Sequence, residues 1–342
     1  MINAKELHRI LIIQTASLGD VILSTALAET LHAAFPDAKT DFLIKKGYES
    51  LFQGHPFINQ VFTWDKTNHK YQRLWHIAMQ MRKNRYSAVI NVHRFASSGF
   101  ITAFAGAPYS AGFHKNPLSA FFKYSVEHVI TAQGDGKHET DRNHALIQPL
   151  TDLKTSKPGL YPTAADKQAV ETYQQKPYIT VSPASLWFTK QYPAEKWVDF
   201  LNLIPDDLQV FLLGSKADIA LCKEISSQTH HKNLNILAGS LTFLQSAALM
   251  KGALMNYVND SAPQHLASAV NAPVTVIFCS TVPEFGFGPL SDNAHIVQTT
   301  LSLPCRPCGL HGFKACPLGH FDCAHSIQTI QLLDTLPPWE NQ

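Results

Sequence analysis

Apolar residues along this chain follow two alternating patterns. Residues 9–14 (RILIIQ) form a short β-branched run that reads as a buried strand. Residues 21–35 then place Val21, Ile22, Leu27 and Leu31 at helical spacing and stop before Pro36, which predicts a helix. The alternation continues. Strands are expected at 41–44, 60–64 and 88–92, a helix at 71–83 with Leu74, Trp75, Ala78 and Met81 on one face, and a short helix at 99–105. This order predicts a parallel sheet with helices on both faces. The pattern lapses over 151–176, where Pro158, Gly159, Pro162 and Pro177 punctuate a polar stretch. A second series follows, with strands at 178–181, 209–213, 235–237, 254–258 and 274–278. Helices are expected at 195–203, 215–227, 241–250 and 263–270, and a last one at 326–336. The expected organisation is an α/β first domain over 1–160, a linker over 161–176, an α/β second domain over 177–325 and a tail over 326–342. Ligands should gather at the carboxyl ends of the strands, in a cleft between the domains.

Composition agrees with two cores. The chain has 342 residues, and domains run to about 150. Hydrophobic residues make up 45% and charged residues 16%, too little charge for a disordered chain. The net charge of +2 excludes a polyelectrolyte, and no nucleic-acid partner is expected. No apolar run approaches the roughly 18 residues of a membrane span, and residues 1–13 lack a signal pattern, so a cytoplasmic protein is expected. Charge is uneven: residues 1–160 hold 18 Lys and Arg against 12 Asp and Glu. This suits an anionic partner for the first domain, or else reflects two ordinary solvated surfaces.

Three loops carry candidate chemistry, each after a strand. In the first, Thr15 to Asp20, small residues and Gly19 admit a ligand to the backbone, but neither G-x-G-x-x-G nor a P-loop lysine is present. Asp20 reads either as the N-cap of the next helix or as a carboxylate that takes a proton from an attacking hydroxyl. In the second, Ser182 to Lys190, hydroxyls at Ser182 and Ser185 and the Lys190 charge suit a phosphate-bearing ligand; the alternative is a surface loop. In the third, Asn259 to His265, a strand feeds straight into a helix whose N-terminus is a ready anion site, or else an ordinary cap. Cys222 and Cys279 read as packed core thiols. Cys305-x2-Cys308-x7-Cys316-x6-Cys323, with His311, His320 and His325 nearby, reads either as a zinc site or as a reduced structural loop.

These residues resemble a known family. ILIIQTASLGDVILST at 10–25 is similar to the opening of the bacterial heptosyltransferases, glycosyltransferase family 9. Ala105-Gly106-Ala107-Pro108 with Gly112-Phe113, His138-x3-Arg142, residues 182–197, 212–218 and 258–269, and Gly288-Pro289 resemble its later signatures in order. The cysteine-rich end looks more like the second heptosyltransferase type than the first. The resemblance implies a GT-B fold, two Rossmann-like domains facing across a cleft. It implies metal-independent, inverting transfer of a heptose from an ADP-activated donor to the inner core of lipopolysaccharide. On matching positions Asp20 is the base and Lys190 stabilises the departing diphosphate. Ser17, Gly19, Ser182, Ser185, Asp218, Asp260, Ser261, Ala262 and His265 meet the donor, with Asp218 against the ribose. No cofactor beyond the nucleotide sugar is implied. The other partner is an anionic lipid-linked saccharide, suited by basic residues such as Arg94, Lys115 and Lys123, with peripheral contact at the cytoplasmic face of the inner membrane. One position departs: Ala262 stands where the family has glycine, and a methyl group there bears on which nucleotide and sugar fit. The competing readings are a transferase using another sugar, a non-catalytic nucleotide-sugar-binding protein, and a sugar-nucleotide epimerase of similar architecture.

Overall fold

The computed structural model describes residues 7–67 and 69–339. The chain divides into two units. One holds the residues up to Ile130 together with Lys137–Tyr161, and the other holds Thr131–Gly136 and everything from Pro162 onward.

The first unit contains β1 (Arg9–Gln14), α1 (Leu18–Ala34), β2 (Lys39–Lys45), β3 (Ile58–Trp64), α2 (Lys70–Lys83), β4 (Ala88–Asn91), α3 (Ala96–Ala105), β5 (Tyr109–Phe113), β6 (Tyr124–Val126) and α4 (Glu139–His144). Its six strands are all parallel, in the order β3-β2-β1-β4-β5-β6. β1 is central: Ile10 to Ile13 are fully buried, as both faces of a strand must be when helices cover the sheet on each side.

The second unit contains α5 (Ala164–Val170), β7 (Tyr178–Ser182), α6 (Ala194–Leu201), β8 (Gln209–Leu212), α7 (Ile219–Gln228), β9 (Leu234–Ile236), α8 (Phe243–Gly252) and β10 (Met255–Asn259). It continues with α9 (Ala262–Ala269), β11 (Val274–Phe278), β12 (Ala294–Gln298), α10 (Asp322–His325) and α11 (Thr329–Leu333). Its parallel sheet runs β12-β11-β10-β7-β8-β9. Numbered within each unit, both sheets have the order 3-2-1-4-5-6, the doubly wound Rossmann arrangement. Each sheet therefore has one point where the winding reverses, between β1 and β4 in the first and between β7 and β10 in the second. The crevice outside the strand ends at that point is where such sheets bind ligands.

The expected α/β alternation is present, with informative differences. The edge strands β6 and β12, and β5 next to the edge, were not foreseen. β5 (YSAGF) lacks a β-branched run, and Gly112 is required because a Cβ there would sit 2.4 Å from the Phe122 ring. Residues 161–176, expected to link, instead carry α5, started by a Thr163–Asp166 capping box and packed on α8. The final segment, expected as a tail, is part of the second core. Ile327 and Leu332 are fully buried there, and the Tyr257 hydroxyl donates to the Leu332 carbonyl at 3.2 Å.

Candidate active site

In the first unit the loop after β1 opens α1 three residues earlier than its apolar spacing suggested. Ser17, not Asp20, is the N-cap, and Asp20 is the third residue of a capping box. The Ser17 hydroxyl and amide both donate to Asp20 Oδ2, at 2.6 and 3.1 Å, and the Asp20 amide returns a bond to Ser17 Oγ at 3.4 Å. The box fixes the direction of a carboxylate that is only half-buried, and the preceding Gly19 is buried. Burial, reinforced by the Asp20 carboxylate, raises the pKa of the Tyr48 hydroxyl.

Two residues in this unit escaped the sequence reading. The Lys66 ammonium, just after β3, donates to the Thr15 carbonyl at 2.8 Å and to its hydroxyl at 3.1 Å. Thr15 Oγ1 also lies 3.1 Å from Nδ1 of His93, just after β4. The Thr15 oxygen accepts from Lys66, and a neutral His93 with a bare Nδ1 can take the Thr15 hydroxyl proton. Burial agrees. It lowers the His93 pKa to about 4, helped by Lys66 and Arg94, and lowers that of Lys66 to about 8, helped by Lys45 and Lys70. The available signal was position: both residues directly follow strands of a parallel sheet. Arg94, Lys115 and Lys123 are exposed on this unit.

In the second unit Lys190 and Asp260 meet. Lys190 ends a 3₁₀ turn (Phe188–Lys190) in the loop after β7, and Asp260 follows β10, so the pair sits where the winding of the sheet reverses. The Lys190 ammonium lies 2.6 Å from Asp260 Oδ2, and both side chains are largely buried. The Thr281 hydroxyl donates to the same oxygen at 2.6 Å, and the Gln264 amide donates to Oδ1 at 2.8 Å. Asp260 is thus committed to protein partners, where the sequence had suggested a donor contact. Neighbouring loops are tied into the same knot. Asn259 accepts from the Tyr192 amide at 2.9 Å and donates to the Pro183 carbonyl at 2.8 Å. The Ser185 amide donates to Gln191 at 3.2 Å.

Next to this pair α9 begins with Ser261 as its N-cap, but the hydroxyl makes no cap bond and reaches the Asn259 carbonyl at 3.4 Å instead. Ala262 opens the helix and Pro263 follows, so part of the first turn has no N–H to satisfy. Ser261 and Ala262 are half-buried, whereas Ser182 and His265 are buried. Asp218 repeats the Asp20 arrangement after β8: it is the third residue of a capping box in which the Ser215 hydroxyl and amide both donate to its Oδ2 at 2.7 Å.

The cysteine-rich segment buttresses the Lys190 loop. Thr189 is gripped by Phe313, whose amide donates to its hydroxyl at 2.8 Å and whose carbonyl accepts from its amide at 3.1 Å. Gly312 is needed beside it: φ is +73°, and a Cβ would fall 2.8 Å from Thr189 Oγ1 and 3.0 Å from Lys190 Cγ. The Arg306 guanidinium donates to the carbonyls of Cys279 at 2.8 Å and Thr281 at 2.7 Å, fixing the strand end that carries the Thr281 hydroxyl. All six cysteines are free. Cys305 Sγ lies 3.9 Å from His320 Nε2. Among the described residues, no group of three or more His, Cys, Asp or Glu side chains is arranged to hold a metal ion. Burial, reinforced by the neighbouring thiols, raises Cys323 to about 12 and also raises Cys308. Cys222, at about 12, and Cys279, pushed well above the usual thiol range, are protonated core groups as expected.

Comparison with known proteins matches this architecture. The family model described as glycosyltransferase family 9 (heptosyltransferase) covers residues 74–311, more than two thirds of the chain. Lipopolysaccharide heptosyltransferase 3 of Escherichia coli is 26% identical over 290 residues, 80% of this chain and 84% of that one. Among solved structures, the glycosyl transferase family 9 protein of Veillonella parvula superposes with a TM-score of 0.81 at 18% identity, over 96% of this chain and 97% of that one. The E. coli ADP-heptose lps heptosyltransferase II gives 0.76 at 21%, with the same coverages. The fold is accordingly GT-B, built from two Rossmann-like units. The chain belongs to glycosyltransferase family 9 and is a glycosyltransferase.

Proposed function

We propose that this enzyme transfers a heptose from an ADP-activated donor to the inner core of lipopolysaccharide, with inversion at the anomeric carbon. The observation that carries the reading is the Lys190–Asp260 pair at 2.6 Å, placed at the winding reversal of the second sheet beside the N-terminus of α9. A diphosphate leaving group needs positive charge that is already in place when its bond breaks. The Lys190 ammonium and the α9 N-terminus supply it. Asp260, held by Thr281 and Gln264, is a positioning residue for Lys190. Ser182, Ser185, Ser261, Ala262 and His265 line the donor side, and Asp218 takes the ribose hydroxyls. Support for the sugar and the acceptor comes from the relatives, named for heptose transfer to lipopolysaccharide.

Asp20 is the general base, oriented by Ser17 and carried over Gly19. It removes the proton of the acceptor hydroxyl as that oxygen attacks the anomeric carbon. The bond from that carbon to the β-phosphate oxygen breaks through an oxocarbenium-like state, and ADP departs with its new charge against Lys190. The acceptor is an anionic lipid-linked saccharide met by the basic first unit at a membrane surface. The test is transfer from ADP-heptose to purified core acceptor. Asp20→Ala should abolish turnover while ADP still binds. Normal turnover by that variant overturns the assignment of the base, and ADP binding without turnover by the unaltered enzyme, whatever the nucleotide sugar, favours a non-catalytic binding protein.

A further inference from the structure

Between Asp65 and Glu127 the sequence holds five lysines and four arginines and no acidic residue. α2 and α3, which pack side by side in the first unit, lie within this stretch. α2 (KYQRLWHIAMQMRK) carries two apolar stripes. Ile77, Ala78 and Met81 are buried against the unit. Tyr71, Trp75 and Met79, spaced by four, point outward with exposures of 79%, 53% and 46%. The outward stripe continues onto α3. The Trp75 ring lies 5.2 Å from Phe104, which stacks on Phe100 at 5.6 Å.

Cations border these rings. The Arg82 guanidinium sits 5.2 Å over Phe104 and donates to its carbonyl at 3.0 Å, and the Lys70 ammonium lies 5.9 Å from the Tyr71 ring. Lys83 is exposed at the end of the same helix.

An outward apolar stripe of this extent marks a surface that something covers. The charge decides what. α2 and α3 themselves carry Lys70, Arg73, Arg82 and Lys83 and no acidic residue, with Arg73 paired to Asp65, and this balance matches an anionic partner. Aromatic side chains with adjacent Lys and Arg are the combination that settles at the headgroup level of a bilayer, rings in the interface and cations on phosphates. We propose that the α2–α3 face docks this enzyme on an anionic lipid bilayer, with Tyr71, Trp75 and Met79 entering the interface and Lys70, Arg82 and Lys83 on lipid phosphates. The inference deepens the proposed function, in which a lipid-linked acceptor requires work at a membrane, but its test needs no transfer.

The experiment is sedimentation of the full chain with phosphatidylcholine vesicles, with and without phosphatidylglycerol. Binding should require phosphatidylglycerol and weaken with salt. A Tyr71→Ser, Trp75→Ser double variant and a Lys70→Glu, Lys83→Glu double variant should each bind at least about tenfold more weakly. Ile330→Ser, at an exposed apolar residue of the second unit, should bind like the parent. Circular dichroism establishes that each variant is folded, and the charge variant keeps the test open if the aromatic one is not. Equal binding to neutral vesicles, or face variants that bind as tightly as the parent, overturns the proposal. So does a dimer that the same substitutions split into monomers, because the face would then cover a second copy. Inactive enzyme that still binds vesicles would defeat the transfer reading and leave this one standing.

Discussion

Asp20 and Asp260 occupy comparable places, each just beyond a central strand of its sheet, yet they are held in opposite ways. Asp20 is bound by Ser17, three residues away, and stays half-buried. Asp260 is buried and held by two groups from elsewhere, Lys190 across 70 residues of sequence and Thr281 across 21, as well as by Gln264 four residues on in α9. A carboxylate secured by its own helix turn can be removed with little harm to the fold, which suits a group that does chemistry. One secured by several distant segments holds those segments together.

The largest expected effect breaks the comparison on the chemical side. Asp20→Ala should lower kcat by up to about 10⁴-fold while ADP affinity stays near the parent value. Asp260→Ala should instead act on stability. It leaves the Lys190 ammonium buried without its counter-charge, at a cost of about 3 kcal/mol or more in urea unfolding. Lys190→Ala should lower kcat by about 10²–10³-fold and weaken ADP, read by turnover and calorimetry.

A smaller effect comes from pH. His93 and His55 are buried with pKa values lowered to about 4, so the unfolded chain binds protons there that the folded chain does not. Stability should therefore be complete above pH 6.5 and fall as pH drops toward 4, by about 1–2 kcal/mol per histidine at pH 5. Unfolding midpoints at pH 7 and pH 5 check this, and His93→Gln should remove about half of the difference, leaving the His55 share. Smallest is Ser17→Ala, expected to cost about 1 kcal/mol through loss of the cap and to lower kcat by freeing the Asp20 carboxylate.

The contrast also explains what the sequence could disclose. β1 was legible because a strand buried on both faces is an unbroken apolar run, whereas β7 and β10, interrupted by the buried Thr180 and Asn256, were legible from their alternation with helices. Asp20, Lys190 and Asp260 stood out as candidates because ligand-binding loops follow the strands of such sheets and because their loops resemble a family pattern. The partner that Asp260 takes was not legible, because a bond across 70 residues leaves no periodic trace. Lys66 and His93 were missed for the same reason: their link through Thr15 joins three loops. α5 was hidden by the prolines and glycine flanking it, although Thr163-x-x-Asp166 has the form of the capping box that starts it. The zinc reading followed from cysteine spacing alone. The segment's contacts with the Lys190 loop through Phe313 and with the strand end through Arg306 do not depend on the thiols and left no trace in that spacing.

The most direct test measures ADP affinity and transfer rate together in Asp20→Ala. The account predicts unchanged affinity with transfer lost. Transfer at the parent rate, or loss of ADP binding in step with activity, would contradict the division of labour between the two carboxylates.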